Sequence, residues 1–198
     1  MDDIVLRGMA KWPNVPAVYG WLSLDRRGQW LLKGERVVNP GIAAFFGRNY
    51  ASDGQGRWFF QNGPQRVYVS LEYTPLVYRA VSAPGAPLEL ASHGGAPVSS
   101  IRGAYLDEQG LLLLETDLGI GLLHDRDLEA VLPRLDAPGG ETSLAATLDA
   151  LQAGRRSPLE LDLGGTRIPV LPIRSDEVPG RFGFVARPVQ PDGQEECY

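Results

Sequence analysis

Apolar and polar residues follow two different periods along the chain, and in the first forty residues they predict a helix followed by a β-hairpin. Residues 2–12 place their apolar side chains on one face of a helix that starts with acidic residues. Two apolar runs, 19–25 and 29–35, flank the turn sequence Asp25-Arg26-Arg27-Gly28. In such a turn the aspartate side chain bonds nearby backbone N–H groups and the glycine takes a positive φ, so a hairpin is expected.

The next predicted elements are a capped helix and a meander of strands. Asn39 is a favoured N-cap residue and Pro40 suits the first helical turn, while apolar residues at i, i+3 and i+4 form one stripe along residues 40–50. Three strands are then expected within residues 57–82, with Pro75 separating the last two.

The second half of the chain repeats this order of elements. It contains a predicted hairpin, a capped helix and a second hairpin, at residues 103–115, 125–135 and 159–173. The first of these hairpins carries the turn Asp107 to Gly110, which repeats the earlier Asp-x-x-Gly sequence. In the last hairpin Arg167 takes the position that Arg66 has in the first half. The shared order predicts an internal duplication.

The predicted fold class is α+β, with two related repeats that each consist of a hairpin, a helix and an antiparallel hairpin or meander. The predicted domains are a first repeat with its N-terminal helix, a linker, a second repeat with an extra helix, and a polar tail, at residues 1–81, 82–99, 100–189 and 190–198. The extra helix is expected at 143–154 and a final strand at 181–189. Because the helical stripes correspond, Phe45 and Leu132 are both predicted to be buried. Replacing either with alanine is expected to cost roughly 2–5 kcal/mol.

Several short patterns lie within residues 20–79: a Gly-x-Trp turn, a following glycine, an amphipathic helix, Asp-x-x-Gly before an aromatic strand, and a strand that ends acid-x-x-Pro. They stand at Gly28 to Trp30, Gly34, Ile42 to Phe46, Asp53 to Phe60 and Glu72 to Pro75. The segment resembles a bacterial family recorded only as a domain of unknown function, and it is similar to a broader uncharacterised bacterial family. Here two arginines separate Asp25 from Gly28. The resemblance implies an α+β architecture of two related repeats and brings no catalytic residues with it.

Composition narrows the classes of partner and compartment. With 198 residues, 43% of them hydrophobic, the chain is long enough for one large or two small globular domains. A net charge of −5 disfavours nucleic acid and anionic membranes as partners, and no window approaches the ~20 apolar residues of a membrane span. The acidic start lacks a secretion-signal pattern and the single cysteine, Cys197, forms no disulfide framework. A cytoplasmic protein is expected.

The sequence contains no complete pattern for a common catalytic or metal site. His93 lies in the predicted linker and His124 precedes a helix, and neither has a second ligand residue at metal-binding spacing. Gly119 and Gly121 lack the third glycine of a dinucleotide-binding turn. No catalytic residue, metal or cofactor is therefore predicted.

The aromatic residues are distributed unevenly between the two halves. Thirteen of the seventeen, including all four tryptophans, lie before residue 100. Several are expected close to turns and arginines, an arrangement that is common at recognition surfaces, although the same rings also serve to complete a core. The candidate binding residues are Trp30, Arg48, Tyr50, Trp58, Arg66 and Glu72.

Three functions remain open. The first is a non-enzymatic binding or regulatory module that takes a protein partner or a small anionic ligand on the aromatic and Arg-rich surface. Trp58 and Arg66 should then stay exposed, and Arg167 should lack an aromatic neighbour. The second is an enzyme of unrecognised type that uses Glu72 with Arg48 or Arg66 in a cleft between the repeats. The third is a self-associating scaffold, such as a homodimer.

Overall fold

Two compact units make up the described part of the chain. A computed structural model describes residues 1–12, 15–82, 86–137 and 141–191, without the side chains of residues 141–144. Unit 1 takes its described residues from Met1–Pro75, His93–Gly95 and 183–191, and unit 2 from Leu76–Ser92 and Ala96–Phe182. The units therefore interleave along the chain, and their limits differ from the expected linker at 82–99.

Among its described residues, unit 1 contains a six-stranded sheet and two helices. The strands are β1 (Val18–Leu24), β2 (Trp30–Leu32), β3 (Glu35–Arg36), β4 (Tyr50–Ser52), β5 (Trp58–Asn62) and β6 (Gln65–Leu71). The helices are α1 (Asp3–Lys11) and α2 (Pro40–Arg48). The strand order is β3-β2-β1-β6-β5-β4, in which β1 and β6 are parallel and the other neighbours are antiparallel.

Helix α1 buries a smaller part of its surface than the sequence predicts. Val5 is 1% exposed, but Ile4 is 68% exposed and Trp12 is 58% exposed. Close packing is concentrated at Gly8, where a Cβ atom would lie 3.2 Å from the Cα of Gly63. The helix therefore contacts the β5–β6 turn through its smallest residue.

Helix α2 begins where its sequence predicts. The Oδ1 atom of Asn39 accepts hydrogen bonds from the N–H groups of Gly41, at 2.9 Å, and Ile42, at 3.2 Å. These bonds satisfy two of the donors that a helix leaves free at its N-terminus. The predicted N-cap is confirmed.

The apolar stripe of α2 is only half-buried. The ring centroids of Phe45 and Phe46 lie 5.4 and 4.5 Å from that of Phe60 on β5. Both side chains keep part of their surface exposed, and α2 has no fully buried residue. The prediction that Phe45 is buried is therefore wrong, because a cavity lies between the helix and the sheet.

Unit 2 contains an eight-stranded sheet and three helices among its described residues. The strands are β7 (Leu76–Ala80), β8 (Leu90–Ser92), β9 (Ile101–Leu106), β10 (Leu112–Thr116), β11 (Gly119–Leu123), β12 (Leu135–Asp136), β13 (Glu160–Asp162) and β14 (Arg167–Pro172). The helices are α3 (Leu128–Val131), α4 (Glu141–Gln152) and α5 (Val178–Phe182). The strand order is β12-β13-β14-β9-β10-β11-β7-β8.

The two sheets share one connectivity. Strands β9 to β14 occupy the same order in unit 2 as β1 to β6 occupy in unit 1, and the central pair, β9 with β14, is parallel like β1 with β6. A helix follows the third strand in both units. The predicted α+β fold with two related repeats is confirmed.

The same turn occurs three times in the described ranges. Asp25, Asp53 and Asp107 each use Oδ1 to accept hydrogen bonds from the N–H groups two and four residues later, at 2.8–3.0 Å. The glycine in the fourth position of each turn has φ between 72° and 78°, at Gly28, Gly56 and Gly110. These conformations explain why the Asp-x-x-Gly sequence predicts both hairpins.

The helix predicted at 125–135 is mostly replaced by 3₁₀ turns. Only Leu128–Val131 is α-helical, between 3₁₀ turns at Asp125–Asp127 and Leu132–Arg134. His124 Nδ1, rather than Asp125, accepts the hydrogen bond from the Arg126 N–H at 3.1 Å. Leu132 is 45% exposed, whereas Val131 is fully buried, so the prediction of a buried Leu132 is wrong.

Three further predictions differ from the structure. Strand β7 does not complete a meander with β6, since it pairs in parallel with β11 in unit 2. The segment 181–189 is not a strand: it begins in α5 and continues without regular structure, apart from a bridge at Val185. Helix α4 begins before Ser143, the expected N-cap. Residues 192–198 of the expected polar tail lie outside the described residues.

Candidate functional site

A groove lies on one face of the unit 1 sheet. Side chains alternate between the two faces of a strand, so Phe60 and Val67 face the cavity beside α2 while Gln61 and Arg66 line the groove on the other face. The groove has a volume of about 940 Å³. Its wall includes Trp12, Tyr19, Arg57, Gln61, Arg66 and Tyr68.

Aromatic rings form part of the groove wall. Tyr19 on β1 and Tyr68 on β6 are stacked, with ring centroids 4.7 Å apart and an interplanar angle of 16°. Phe59 meets Tyr68 edge to face at 6.0 Å. Parallel β1 and β6 place the two tyrosines on the same face of the sheet. Tyr68 is buried, with the Arg57 guanidinium 4.7 Å from its ring centroid, so Tyr19 is the partly exposed ring of the stack.

One of the two arginines in the groove is neutralised by an internal carboxylate. The Nε and Nη2 atoms of Arg57 lie 2.8 and 2.7 Å from Oδ2 of Asp53, and the Tyr68 hydroxyl donates a hydrogen bond to the same oxygen at 3.0 Å. Burial opposes ionisation of Asp53, but hydrogen bonds from Arg57, from backbone N–H groups and from Tyr68 together lower its pKa. The pair therefore adds little net charge to the groove.

Arg66 has no carboxylate partner among the described residues. Its guanidinium lies 4.6 Å from the centroid of the Phe59 ring, in a cation–π contact, and the residue is half-buried. The equivalent residue of unit 2, Arg167, lies 2.8 Å from an oxygen of Asp136 and within 4.0 Å of Glu160. The positive charge of Arg66 is therefore available to an anion, whereas that of Arg167 is compensated.

Gln61 is a buried amide in the groove wall. The residue is 1% exposed, its backbone N–H donates to Asn49 O at 2.9 Å, and its Nε2 atom donates to Gly63 O at 2.9 Å. Its Oε1 atom has no hydrogen-bond partner in the described part of the chain. An unsatisfied buried acceptor of this kind costs about 1–3 kcal/mol.

Three of the predicted site residues belong to an aromatic cluster away from the groove lining. Tyr50 lies 5.1 Å from Trp30 and 4.8 Å from Trp58, measured between ring centroids. His93 packs on Trp30 at 5.4 Å and on Tyr50 at 5.6 Å. The Tyr50 hydroxyl donates to Pro75 O at 3.0 Å, and burial raises the pKa of Tyr50 well above its ordinary value. The cluster is part of the core of unit 1, although Trp58 keeps some exposed surface.

The remaining predicted residues have separate contacts. Arg48 donates two hydrogen bonds of 3.3 Å to the carboxylate of Asp2. These bonds hold the pKa of the Asp2 carboxyl below its ordinary value. Glu72 lies 3.4 Å from the Nε atom of Arg26. Of the six predicted site residues, Arg66 alone is among the residues that line the groove in the described part of the chain.

Most residues that line the groove were not predicted from the sequence, among them Tyr19, Arg57, Gln61 and Tyr68. Alternation was the available signal: Arg66 and Tyr68 are two residues apart on β6, so they point to the same face. Their neighbours on β1 and β5 follow only from the strand pairing, which the sequence does not reveal.

Neither a metal-binding cluster nor a membrane-spanning helix is found among the described residues. No group of three or more histidine, cysteine or acidic residues is arranged to hold a metal ion in the described ranges. Among the same residues, no helix is sufficiently long and apolar to cross a membrane.

Comparison with family models gives a match over nearly the whole chain. Residues 1–189 match the model DUF2944, described as "Protein of unknown function (DUF2946)". The chain belongs to the DUF2944 family. A comparison of this family member with functionally curated proteins found no match.

Two crystal structures are similar to this DUF2944 chain. A DUF1285 family protein from Silicibacter pomeroyi DSS-3 is 14% identical, with a TM-score of 0.54 over 86% of this chain and 88% of the other. A DUF1285 family protein from Shewanella baltica OS155 is 16% identical, with a TM-score of 0.41 over 55% of this chain and 87% of the other. At 14% identity, the structure from Silicibacter pomeroyi DSS-3 shows that the two proteins share a fold.

Proposed function

We propose that the protein is a non-enzymatic, cytoplasmic binding module that captures a small aromatic carboxylate in the groove of unit 1, in a regulatory role. The observation that carries the proposal is Arg66, a half-buried arginine without a carboxylate partner among the described residues, in the wall of a cavity of about 940 Å³. Ligand cavities commonly have volumes of about 300–1,000 Å³ and a few placed polar groups.

The chemistry of the groove selects the ligand class. The planar guanidinium of Arg66 matches the two oxygens of a carboxylate, and the partly exposed ring of Tyr19, stacked on the buried Tyr68, offers a face to an aromatic ring. Asp53 does not repel an anion strongly, because Arg57 is bound to it directly. A planar anion therefore fits this groove better than a cation or a neutral aliphatic molecule.

The alternative enzyme hypothesis lacks comparable support. It requires Glu72 to act with Arg48 or Arg66, but the ion pairs that Glu72 and Arg48 form among the described residues are with Arg26 and Asp2. Because these side chains are already paired with other residues, the binding function is preferred. The low cysteine content of the chain supports the cytoplasmic location.

Benzoate and its neutral analogue benzamide test the proposal. We expect the wild type to bind benzoate more tightly than benzamide in isothermal titration calorimetry. Arg66→Gln should weaken benzoate binding about tenfold to a hundredfold, because a hydrogen bond to a charged group contributes about 1.5–3 kcal/mol. Arg167→Gln, the equivalent change in unit 2, and Arg48→Gln serve as matched controls and should leave binding intact.

The proposal is wrong if neither benzoate nor a panel of larger aromatic carboxylates binds, or if Arg66→Gln binds them as tightly as the wild type. Thermal denaturation of each variant checks the fold, since a surface arginine usually changes stability by under about 0.5 kcal/mol. A large loss of stability in Arg66→Gln would make Arg66 a structural residue, and Arg66→Lys, which keeps the charge, would then be compared for binding.

A further inference from the structure

A second cavity lies on the opposite face of the unit 1 sheet, between the sheet and α2. Its volume is about 380 Å³. The wall is largely apolar and includes Trp21, Leu22, Phe45, Phe46, Phe60 and Val67. Polar side chains are confined to Asn62 and Gln65 among the lining residues. This cavity is separate from the groove of the proposed function, because alternate residues of β5 and β6 face it.

The cavity accounts for the incomplete burial of α2. The helix is N-capped and has an apolar stripe, yet none of its residues is fully buried and Ile42 is 46% exposed. Apolar atoms that line an empty space lose the dispersion contacts that a filled core provides. Leu32, at the edge of the same cavity, is also exposed. An apolar ligand in this space would recover those contacts.

A cation stands beside the cavity wall. The Nζ atom of Lys33 lies 3.9 Å from the centroid of the Trp21 ring, which lines the cavity, and the Lys33 N–H donates to Trp21 O at 2.7 Å. Lys33 has a positive φ of 49°, which is uncommon for a residue other than glycine. No carboxylate pairs with Lys33 among the described residues. An apolar pocket with an uncompensated ammonium at its edge is complementary to an amphipathic anion.

We propose that the α2 cavity binds a medium-chain fatty carboxylate, with the hydrocarbon chain between α2 and the sheet and the carboxylate beside Lys33. The apolar walls stabilise the chain through burial, and the ammonium selects the charged head group. The contact with the Lys33 ammonium fixes the position of the carboxylate, so the ligand binds in a single orientation. A neutral alcohol of the same length lacks the interaction with the Lys33 ammonium.

Decanoate and decanol, titrated separately below their aggregation concentrations, test the proposal by calorimetry. The wild type should bind decanoate more tightly than decanol. Lys33→Gln should weaken decanoate binding about twofold to fivefold, the range for an exposed ion pair, without changing decanol binding. Arg66→Gln should bind both molecules like the wild type, so failure of the groove and failure of this cavity are distinguishable.

Blocking the cavity provides an independent test. Val67→Phe should fill the space and reduce binding of both molecules at least tenfold. Leu32→Trp, at an exposed position on the edge, should have the same effect and serves if Val67→Phe fails to fold. Circular dichroism and thermal denaturation show whether each variant keeps the fold.

Three results would overturn the proposal. Wild-type protein that binds neither molecule has no such site. Wild-type affinity in both blocked variants would place the binding elsewhere. A wild-type dimer in sedimentation velocity that Leu32→Arg converts to a monomer, with no effect of decanoate on either, would identify a second copy of the chain as the occupant.

Discussion

At the scale of single residues, His93 is a titratable side chain whose pKa the fold of unit 1 changes strongly. Burial lowers its pKa to about 4, from an ordinary value near 6.5. It packs on Trp30 and Tyr50, two rings that cannot stabilise an extra charge as water does. His93 is therefore neutral in the folded protein at neutral pH.

The ionisation of His93 should make stability depend on pH. The folded-state pKa is below the unfolded value, so the unfolded chain takes up the proton first. The contribution of neutral His93 to the free energy of unfolding is complete above about pH 6.5. It is lost progressively as the pH falls toward 4, by roughly 3 kcal/mol in total. Urea denaturation of the wild type at pH 7 and pH 5 measures this loss.

His93→Phe keeps an aromatic ring in the cluster but removes the titrating group, so its stability should fall less between pH 7 and pH 5. His124→Gln gives the comparison in the other unit, where burial also lowers the pKa of His124, so this variant should lose only the part of the pH dependence that His124 contributes. Equal pH dependence in His93→Phe and the wild type would show that other groups cause the loss.

The repeated aspartate turn shows how one local sequence acquires different neighbours. Asp25 and Asp53 form the same hydrogen bonds to the backbone through Oδ1. In Asp53 the second oxygen also binds Arg57 and Tyr68. At Gly56, which closes that turn, a Cβ atom would lie 2.1 Å from the carbonyl oxygen of Gly183. Residues that are distant in sequence thus determine which further contacts each turn makes.

At the scale of elements, the region after β11 illustrates the limit of a periodic pattern. Leu128, Val131, Leu132 and Leu135 stand at i, i+3, i+4 and i+7, which predicts one continuous helical stripe. Pro133 cannot donate a backbone hydrogen bond, and the structure changes to a 3₁₀ turn at Leu132. The change of period rotates Leu132 into solvent while Val131 stays in the core.

Two alanine substitutions test this assignment. Val131→Ala should lower the free energy of unfolding by roughly 2 kcal/mol, because it removes a fully buried side chain. Leu132→Ala removes more atoms but from a position that is 45% exposed, so it should cost less than about 1 kcal/mol. Urea denaturation of the two variants measures the difference in their free energies of unfolding. A larger loss of stability for Leu132→Ala than for Val131→Ala would show that Leu132 is buried in a continuous helical stripe, as the periodic pattern predicts.

At the scale of the whole molecule, unit 1 is completed by residues from the far end of the described chain. The Val185 N–H donates to Gly56 O at 2.9 Å, and the Leu71 N–H donates to Ala186 O at 2.7 Å. Phe184 is buried. Because Leu76–Ser92 and Ala96–Phe182 form unit 2, the polypeptide returns to unit 1 first at His93–Gly95 and again at residue 183.

Deletion of residues 183–198 should therefore destabilise unit 1. All four tryptophans lie in unit 1, so tryptophan fluorescence reports on that unit while far-UV circular dichroism reports on both. The fluorescence midpoint in urea should fall well below the circular dichroism midpoint in the truncated protein. Deletion of residues 192–198 alone is the matched control and should keep the wild-type midpoints. Equal effects of the two deletions would contradict the role given to residues 183–191.

The sequence by itself determined the features that depend on a few neighbouring residues. The Asn39 cap, the Asp-x-x-Gly turns and the hairpins around them follow from local hydrogen bonding and backbone preference, and their repetition revealed the two related units. The tertiary structure alone decided the parallel pairing of β1 with β6, the place of β7 in unit 2, and the presence of a carboxylate partner at Arg167 but not, among the described residues, at Arg66. These features depend on contacts between residues far apart in sequence. The physical reason is that burial and charge compensation are properties of the neighbours that folding brings together, and a local pattern does not contain them.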